Sequence, residues 1–177
     1  FLRGDVAGYT LLPSVGEHRV FLYGRLQAQT GASFPQDYIG FSRYDAIDLP
    51  LPGAVPITLG DTERVRGYRE YVLGNRVAFG SVEYRIPFAS SLQTEGLGLV
   101  GLGKTTLSLF LDGGVVWNDA DLRGDVQQLG TGVEVKNALR LFGVRIGHAL
   151  GVAQPTTALG TRDDVQLYYR VQTALPF

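Results

Sequence analysis

Apolar and polar residues alternate with a period of two along most of this chain, in segments of about ten residues or more. The last segment alternates Val165, Leu167, Tyr169 and Val171 with Gln166, Tyr168, Arg170 and Gln172. Successive side chains of a strand point to opposite faces, so this pattern indicates strands with one apolar and one mostly polar face. Helical periodicity is almost absent, and we predict an all-β protein.

The length of these segments favours a membrane environment. The alternation covers 2–12, 18–29, 75–88, 104–117, 128–138, 140–152 and 165–177, which predicts about seven strands. Strands of soluble proteins average about 5–6 residues, whereas a tilted membrane strand needs about 9–11. The short connections are expected at 13–17 and near Asn137, and the long ones on the opposite side, as in outer-membrane barrels.

The placement of charge points the same way. The charged residues that we place on the polar parity are Arg19, Arg25, Glu83, Arg85, Lys104, Asp112, Glu134, Arg145 and Arg170. Arg76, at a strand end, and His148, which can be neutral, fall on the apolar parity. A charge that faces lipid near the midplane costs about 2–4 kcal/mol, so a lipid-facing stripe should lack charges. We therefore predict an antiparallel transmembrane β-barrel whose apolar face contacts outer-membrane lipid. A soluble β-sandwich stays an alternative, because it too keeps one parity apolar.

Composition excludes several other classes. The chain has no cysteine, hence no disulfide and no thiolate metal site, and its net charge of -1 gives no basic footprint for nucleic acid. No apolar run is long enough for a spanning helix, and the first residues do not resemble a signal peptide, so we expect a partial or processed chain. The stretch 98–105 reads G-x-x-x-x-G-K-T, but a strand pattern follows it where a nucleotide site needs a helix. We expect no enzymatic activity, cofactor or metal.

Two connections stand out. The connection 30–74 is far longer than the roughly 12–15 residues beyond which loops are usually functional or disordered. It contains four prolines and several apolar residues, and we predict that it folds inward. The segment 89–103 is rich in glycine and breaks the alternation, which leaves a structured turn and an extra half-strand both open.

Four short motifs follow one another in the order of a known family: Val65-Arg66-Gly67-Tyr68, Glu83-Tyr84-Arg85-Ile86-Pro87-Phe88, F-x-D-x-G at 110–114 and G-x-G-x-E at 130–134, with Phe177 at the end. From about Arg19 to Phe177 the chain resembles the BamA-type insertase superfamily (the bacterial surface antigen family), which includes the two-partner-secretion transporters. The resemblance implies that residues 1–177 are the C-terminal portion of a larger barrel in the bacterial outer membrane. It also implies an unfolded or secreted polypeptide as client, with possible periplasmic domains or accessory lipoproteins as partners.

The resemblance further implies that the loop 30–74 is a latch. Its Arg66 would pair with acids of the inner wall, Gly67 would permit a tight turn, and Tyr68 would wedge against the wall near Phe110. Parity independently places Asp112 and Glu134 on the polar face of adjacent strands, within reach of a bidentate guanidinium.

Plainer interpretations remain open. Arg66 could be a solvated loop residue, and the two acids could pair with Lys104, Lys136 or Arg145 merely to neutralise the lumen. By resemblance, Tyr169, Leu175 and Phe177 would form a C-terminal assembly signal that is read by strand addition. The alternative function within this superfamily is a barrel that serves as membrane anchor or pore for an N-terminal enzymatic or propeller domain.

Overall fold

The protein is all-β, and its main element is one antiparallel sheet. The computed structural model describes residues 2–30, 39–41, 57–59, 65–68, 72–89, 95–96, 100–118, 126–141, 144–156 and 165–172. Among these residues there is no helix that is long and apolar enough to cross a membrane.

In the described residues, seven long strands follow the seven alternating segments of the sequence. They are β1 (Leu2–Pro13), β2 (Arg19–Thr30), β6 (Arg76–Ala89), β9 (Thr105–Trp117), β10 (Val126–Leu141), β11 (Val144–Pro155) and β12 (Gln166–Gln172). Each pairs antiparallel with the next one in the chain, which gives the order β1-β2-β6-β9-β10-β11-β12. The predicted number of long strands is thus confirmed, and their pairing is a simple meander. Within the described residues the two ends of the sheet do not pair with each other.

The two faces of this sheet have opposite chemistry, as the alternation predicts. The inner face carries Phe21, Asp112 and Glu134, and the outer face carries Leu26, Leu111 and Val133. Burial alternates in step with parity along β2 and β9, and their inner parity is the more buried one. β1, at the edge of the sheet, is exposed on both faces. Along β2 and β9 the charged parity is therefore covered, while the apolar parity is open.

Short strands account for much of the described remainder. They are β3 (Ile39–Phe41), β4 (Ile57–Leu59), β5 (Val72–Gly74), β7 (Glu95–Gly96) and β8 (Val100–Leu102). β3 pairs with β5, and β4 adds in parallel to the free edge of β12. The long connection 30–74 therefore contributes β4 to the edge of the main sheet, and β3 and β5 to a separate two-stranded sheet.

A small apolar core fixes this connection to the inner face. Its buried members come from the connection and from the loop ends of β6 and β9: Ile39, Val65, Val72, Val77, Phe79 and Val116. Tyr23 and Tyr68 pack against it. Burial of these side chains, at about 25 cal/mol per Å² of apolar surface, is what holds the connection against the sheet.

Two details differ from the sequence-based expectation. The turn predicted near Asn137 is wrong, because β10 continues to Leu141 and β11 begins at Val144. The side-chain nitrogen of Asn137 donates to the carbonyl of Gly103 at 3.2 Å and to the hydroxyl of Thr105 at 2.5 Å, so its N–H groups have partners inside the sheet. In the segment 89–103, β7 and β8 form a small hairpin that pairs with the end of β10, which selects the half-strand interpretation.

Candidate functional site

The centre of the candidate site is a tight turn at Val65–Tyr68 that presses into the inner face. The backbone N–H of Tyr68 donates to the carbonyl of Val65 at 3.2 Å, and Gly67 has a φ of 100°. Residues with a side chain rarely adopt that φ, so glycine suits this position. Val65 is fully buried and Arg66 is 5% exposed, so the turn carries an arginine into the interior of the protein.

Arg66 grips Asp112 of β9 by three hydrogen bonds. Its Nε donates to Oδ2 and its Nη2 donates to Oδ1, both at 2.6 Å, in a bidentate arrangement. The backbone N–H of Arg66 also donates to Oδ2, at 3.1 Å. The contact therefore fixes both the guanidinium and the backbone of the turn, which a point charge such as lysine cannot do.

The remaining guanidinium hydrogens reach two neighbouring strands. Nη1 of Arg66 donates to Glu83 of β6 and to Glu134 of β10, each at 2.8 Å. Nη2 also donates to the hydroxyl of Ser81 at 3.2 Å, and that hydroxyl donates to Asp112 at 2.7 Å. The five N–H donors of the side chain are thus all used. One loop residue bridges three adjacent strands.

Phe110 supplies the floor beneath the guanidinium. The Cζ atom of Arg66 lies 3.6 Å from the centroid of the Phe110 ring, which is a cation–π distance. The ring in turn lies across Gly132, where an added Cβ would sit 2.7 Å from the ring Cζ and 2.1 Å from the backbone carbonyl oxygen of Val152. A larger residue at Gly132 would therefore clash with both the ring and the backbone of β11.

Gly130 allows the turn at Val65–Tyr68 to approach β10 closely. An added Cβ at this position would lie 2.0 Å from the carbonyl oxygen of Arg66. The G-x-G-x-E motif therefore has a physical explanation in β10. Gly130 accepts the loop backbone, Gly132 accepts the Phe110 ring, and Glu134 binds the guanidinium.

A second layer of cations completes the charge balance. Lys136 donates to both oxygens of Glu83, at 2.8 and 2.7 Å, and Arg85 donates its Nε to Glu83 at 2.8 Å. Arg170 of β12 donates its Nε to Glu134 at 2.8 Å. The three carboxylates of the site are thus balanced by four cations, which are Arg66, Arg85, Lys136 and Arg170. We name the group Arg66, Glu83, Arg85, Asp112, Glu134, Lys136 and Arg170 the Arg66 charge cluster.

The charge state of Arg66 follows from this setting. Burial alone would lower its pKa, but the adjacent charges of Asp112, Glu83 and Glu134 outweigh it and raise the pKa above its ordinary value. Arg66 is therefore a permanent cation in the folded protein.

The structure brings most of the sequence-predicted latch residues together. Arg66, Asp112, Glu134 and Phe110 are in mutual contact as described, and Tyr68 lies in the apolar core beside them. Of the proposed competing cations, Lys136 does join the acids. Lys104 instead lies 3.8 Å from Glu17, and the side chain of Arg145 is outside the described residues.

The proposed C-terminal signal is described only in part. Tyr169 lies on the outer face of β12, opposite Leu150, with its ring centroid 6.0 Å from that of His148. Leu175 and Phe177 lie outside the described residues.

Sequence reasoning missed four contributors to the site. Glu83 and Arg85 belong to one of the motifs and Arg170 to the polar parity, but neither they nor Ser81 were assigned to the latch. Register supplies the missing information, since Ser81 lies directly opposite Asp112 in the β6–β9 pair. The parity of Glu83 and its two-residue spacing from Ser81 were the available signals.

Comparison of the chain with protein-family models, with curated proteins and with solved structures finds no match.

Proposed function

We propose that this chain forms the C-terminal wall of a transmembrane β-barrel of the BamA-type superfamily, in the bacterial outer membrane. The barrel inserts or secretes polypeptide, and the loop 30–74 is a latch fastened through Arg66. Outer-membrane lipid and an unfolded or secreted polypeptide are the partners, and periplasmic domains or accessory lipoproteins would deliver the client.

The observation that carries this proposal is the reversed burial of the two faces. Asp112 and Glu134 on the inner face are 1% and 0% exposed, while their outer-face neighbours Leu111 and Val133 are 47% and 42% exposed. A water-soluble sheet buries its apolar face instead. Lipid is the environment in which open leucine and valine side chains and enclosed charges are both stable.

The outer face is also nearly free of charge. Among the outer-face positions of the seven long strands, Arg76 is the one Lys, Arg, Asp or Glu, and it is the first residue of β6. At a strand end the cost of a charge falls towards zero, because the side chain can reach the headgroups.

Strand length supports a spanning sheet. β9 has 13 residues. At about 3.3 Å per residue and a tilt of about 45°, such a strand rises roughly 30 Å, the thickness of a bilayer core. Trp117 and Phe88 lie on the outer face near opposite ends of β9 and β6, as expected of aromatic girdles.

The Arg66 charge cluster is evidence for the proposal that the loop is a latch. Arg66 ties the loop to β6, β9 and β10, and Glu134 passes the connection to Arg170 on β12. This wall is held rigid by charge-assisted hydrogen bonds in a low-dielectric interior. Work on the client would then be done elsewhere on the barrel, driven by folding of the client and without nucleotide.

The test compares the full-length protein with Arg66→Ala in lipid vesicles, and uses Arg25→Ala as the matched loss of an arginine. Arg25 pairs with Asp5, and both side chains are partly exposed. We expect both variants to keep heat-modifiable gel mobility, and Arg66→Ala alone to lose protease protection of the loop and client assembly or secretion. Wild-type loop protection and activity in Arg66→Ala, or a protein that stays dispersed without detergent, would contradict the proposal.

A further inference from the structure

A second charged feature lies on the inner face of the sheet, on the side of the Arg66 charge cluster that faces the short turn between β1 and β2. It is a cavity of about 90 Å³ whose lining includes Arg19, Arg85, Lys104, Lys136, Glu17 and Leu11. We call it the basic pocket. Four cations face one carboxylate there, so the lining itself has an excess of positive charge.

The sheet brings two of these cations together on one face. Arg19 of β2 lies directly opposite Arg85 of β6 in the strand register, on the same face. Like charges directly opposite one another destabilise a pair of strands. Arg85 forms a salt bridge with Glu83 at 2.7 Å. Arg19 donates to the backbone carbonyls of Gly16 and His18 and forms no salt bridge with another described residue. Within the described part of the chain, its positive charge at the pocket is therefore balanced by backbone dipoles.

Lys104 is the second accessible cation. Its side chain is 50% exposed and its ammonium is 3.8 Å from Glu17, which is itself 74% exposed. An exposed pair at that distance contributes little and opens readily. By contrast, Lys136 is buried and bound to Glu83, so it adds to the positive electrostatic potential of the pocket but does not offer a free hydrogen-bond donor.

From this arrangement we infer that the basic pocket is a binding site for the carboxylates of an acidic polypeptide segment, with Arg19 and Lys104 as the direct donors. Leu11 and the aliphatic stems of the basic side chains give the pocket an apolar wall, which suits a peptide better than a bare hydrated anion. The inference rests on the proposed function for the identity of the ligand. A polypeptide that enters the lumen from the short-turn side meets this pocket before it meets the Arg66 latch.

The experiment measures binding of a fluorescent peptide of alternating Glu and Ser to the full-length protein in detergent, by anisotropy. The Gln counterpart of that peptide, inorganic phosphate and vesicles of anionic lipid are the parallel probes. We expect the Glu peptide to bind and the Gln peptide not to bind. Added salt should weaken the binding, because part of the attraction is screened.

Variants assign the site. Arg19→Gln and Lys104→Gln should each lower affinity for the Glu peptide about tenfold, the change expected on losing one charged hydrogen bond. Arg3→Gln removes the same charge from the inner parity of β1 at its far end and should bind as wild type. Heat-modifiable mobility checks that each variant is folded.

Several outcomes would overturn the inference: equal binding of the Glu and Gln peptides, wild-type affinity in both pocket variants, or equal losses in Arg3→Gln. Binding of phosphate or anionic vesicles through Arg19 and Lys104, with no peptide binding, would assign the pocket to a headgroup or free anion instead. Failure of the proposed function is a separate result, since it shows as wild-type loop protection and activity in Arg66→Ala.

Discussion

Arg66 and Asp112, 46 positions apart in sequence, are joined by a bidentate pair of 2.6 Å hydrogen bonds and by a third bond from the arginine backbone. In the described part of the chain, Arg66 is the one cation that forms a salt bridge with Asp112. Glu83 and Glu134, by contrast, each have further cations. Among the described residues, Asp112 therefore depends on Arg66 alone for a compensating charge.

The first prediction concerns that pair. Arg66→Ala should lower the free energy of unfolding by about 3–5 kcal/mol, because it leaves the carboxylate of Asp112 buried without a cation. The double variant Arg66→Ala/Asp112→Asn should recover about 1–3 kcal/mol of this, since the stranded charge is gone. Urea titration of the protein in vesicles measures both. A double variant that is no more stable than Arg66→Ala would show that stranded charge is not the cause.

The second prediction concerns Gly130, where the backbone of Arg66 occupies the space that a side chain would need. Gly130→Val should expel the turn from the wall, because an added Cβ would lie 2.0 Å from the Arg66 carbonyl oxygen. The expected readout is faster proteolysis within 30–74 with strand content unchanged by circular dichroism. Gly8→Val is the control, since no heavy atom lies within 4 Å of an added Cβ there. Equal protection in the two variants would mean that the loop does not need this close approach.

The third prediction isolates the turn geometry. Gly67 and Gly16 both have positive φ, 100° and 62°, but only Gly67 belongs to the latch. Each change to alanine should cost about 1–3 kcal/mol of backbone strain, the usual range for a non-glycine residue in such a conformation. Protease protection of the loop should fall in Gly67→Ala and stay unchanged in Gly16→Ala. A loss of protection in both would indicate general destabilisation.

The fourth prediction tests the environment of the outer face. Leu111→Arg, at the middle of β9, should destabilise the protein in vesicles by about 2–4 kcal/mol, the cost of a lipid-facing arginine near the midplane. Val15→Arg, in the exposed turn between β1 and β2, should have almost no effect. Near-wild-type stability of Leu111→Arg would be the behaviour of a face exposed to water.

Strand number and face could be predicted from the sequence because each long strand separates two chemically different environments. Leu111 and Asp112 are neighbours in sequence, so a period of two places them on opposite sides without knowledge of the pairing. Motif order and parity likewise placed Arg66, Asp112 and Glu134 at one site.

The rest of the cluster depends on register, which alternation does not give. Lys136 meets Glu83 across 53 positions because β9 stands between their strands and aligns the two rows. A shift of either pairing by two residues would preserve every face and remove the contact. Likewise β4 has three residues in a proline-rich stretch, too few to show a period.

The parallel pairing of β4 with β12 has a mechanical consequence. Leu59 pairs with Val171 at the edge of the sheet, and Val65 opens the turn that carries the arginine. Five residues, 60–64, separate them in sequence, so the two can lie at most about 20 Å apart. A movement of the turn beyond that distance from Leu59 must peel β4 from β12, so the two attachments cannot release independently over long distances.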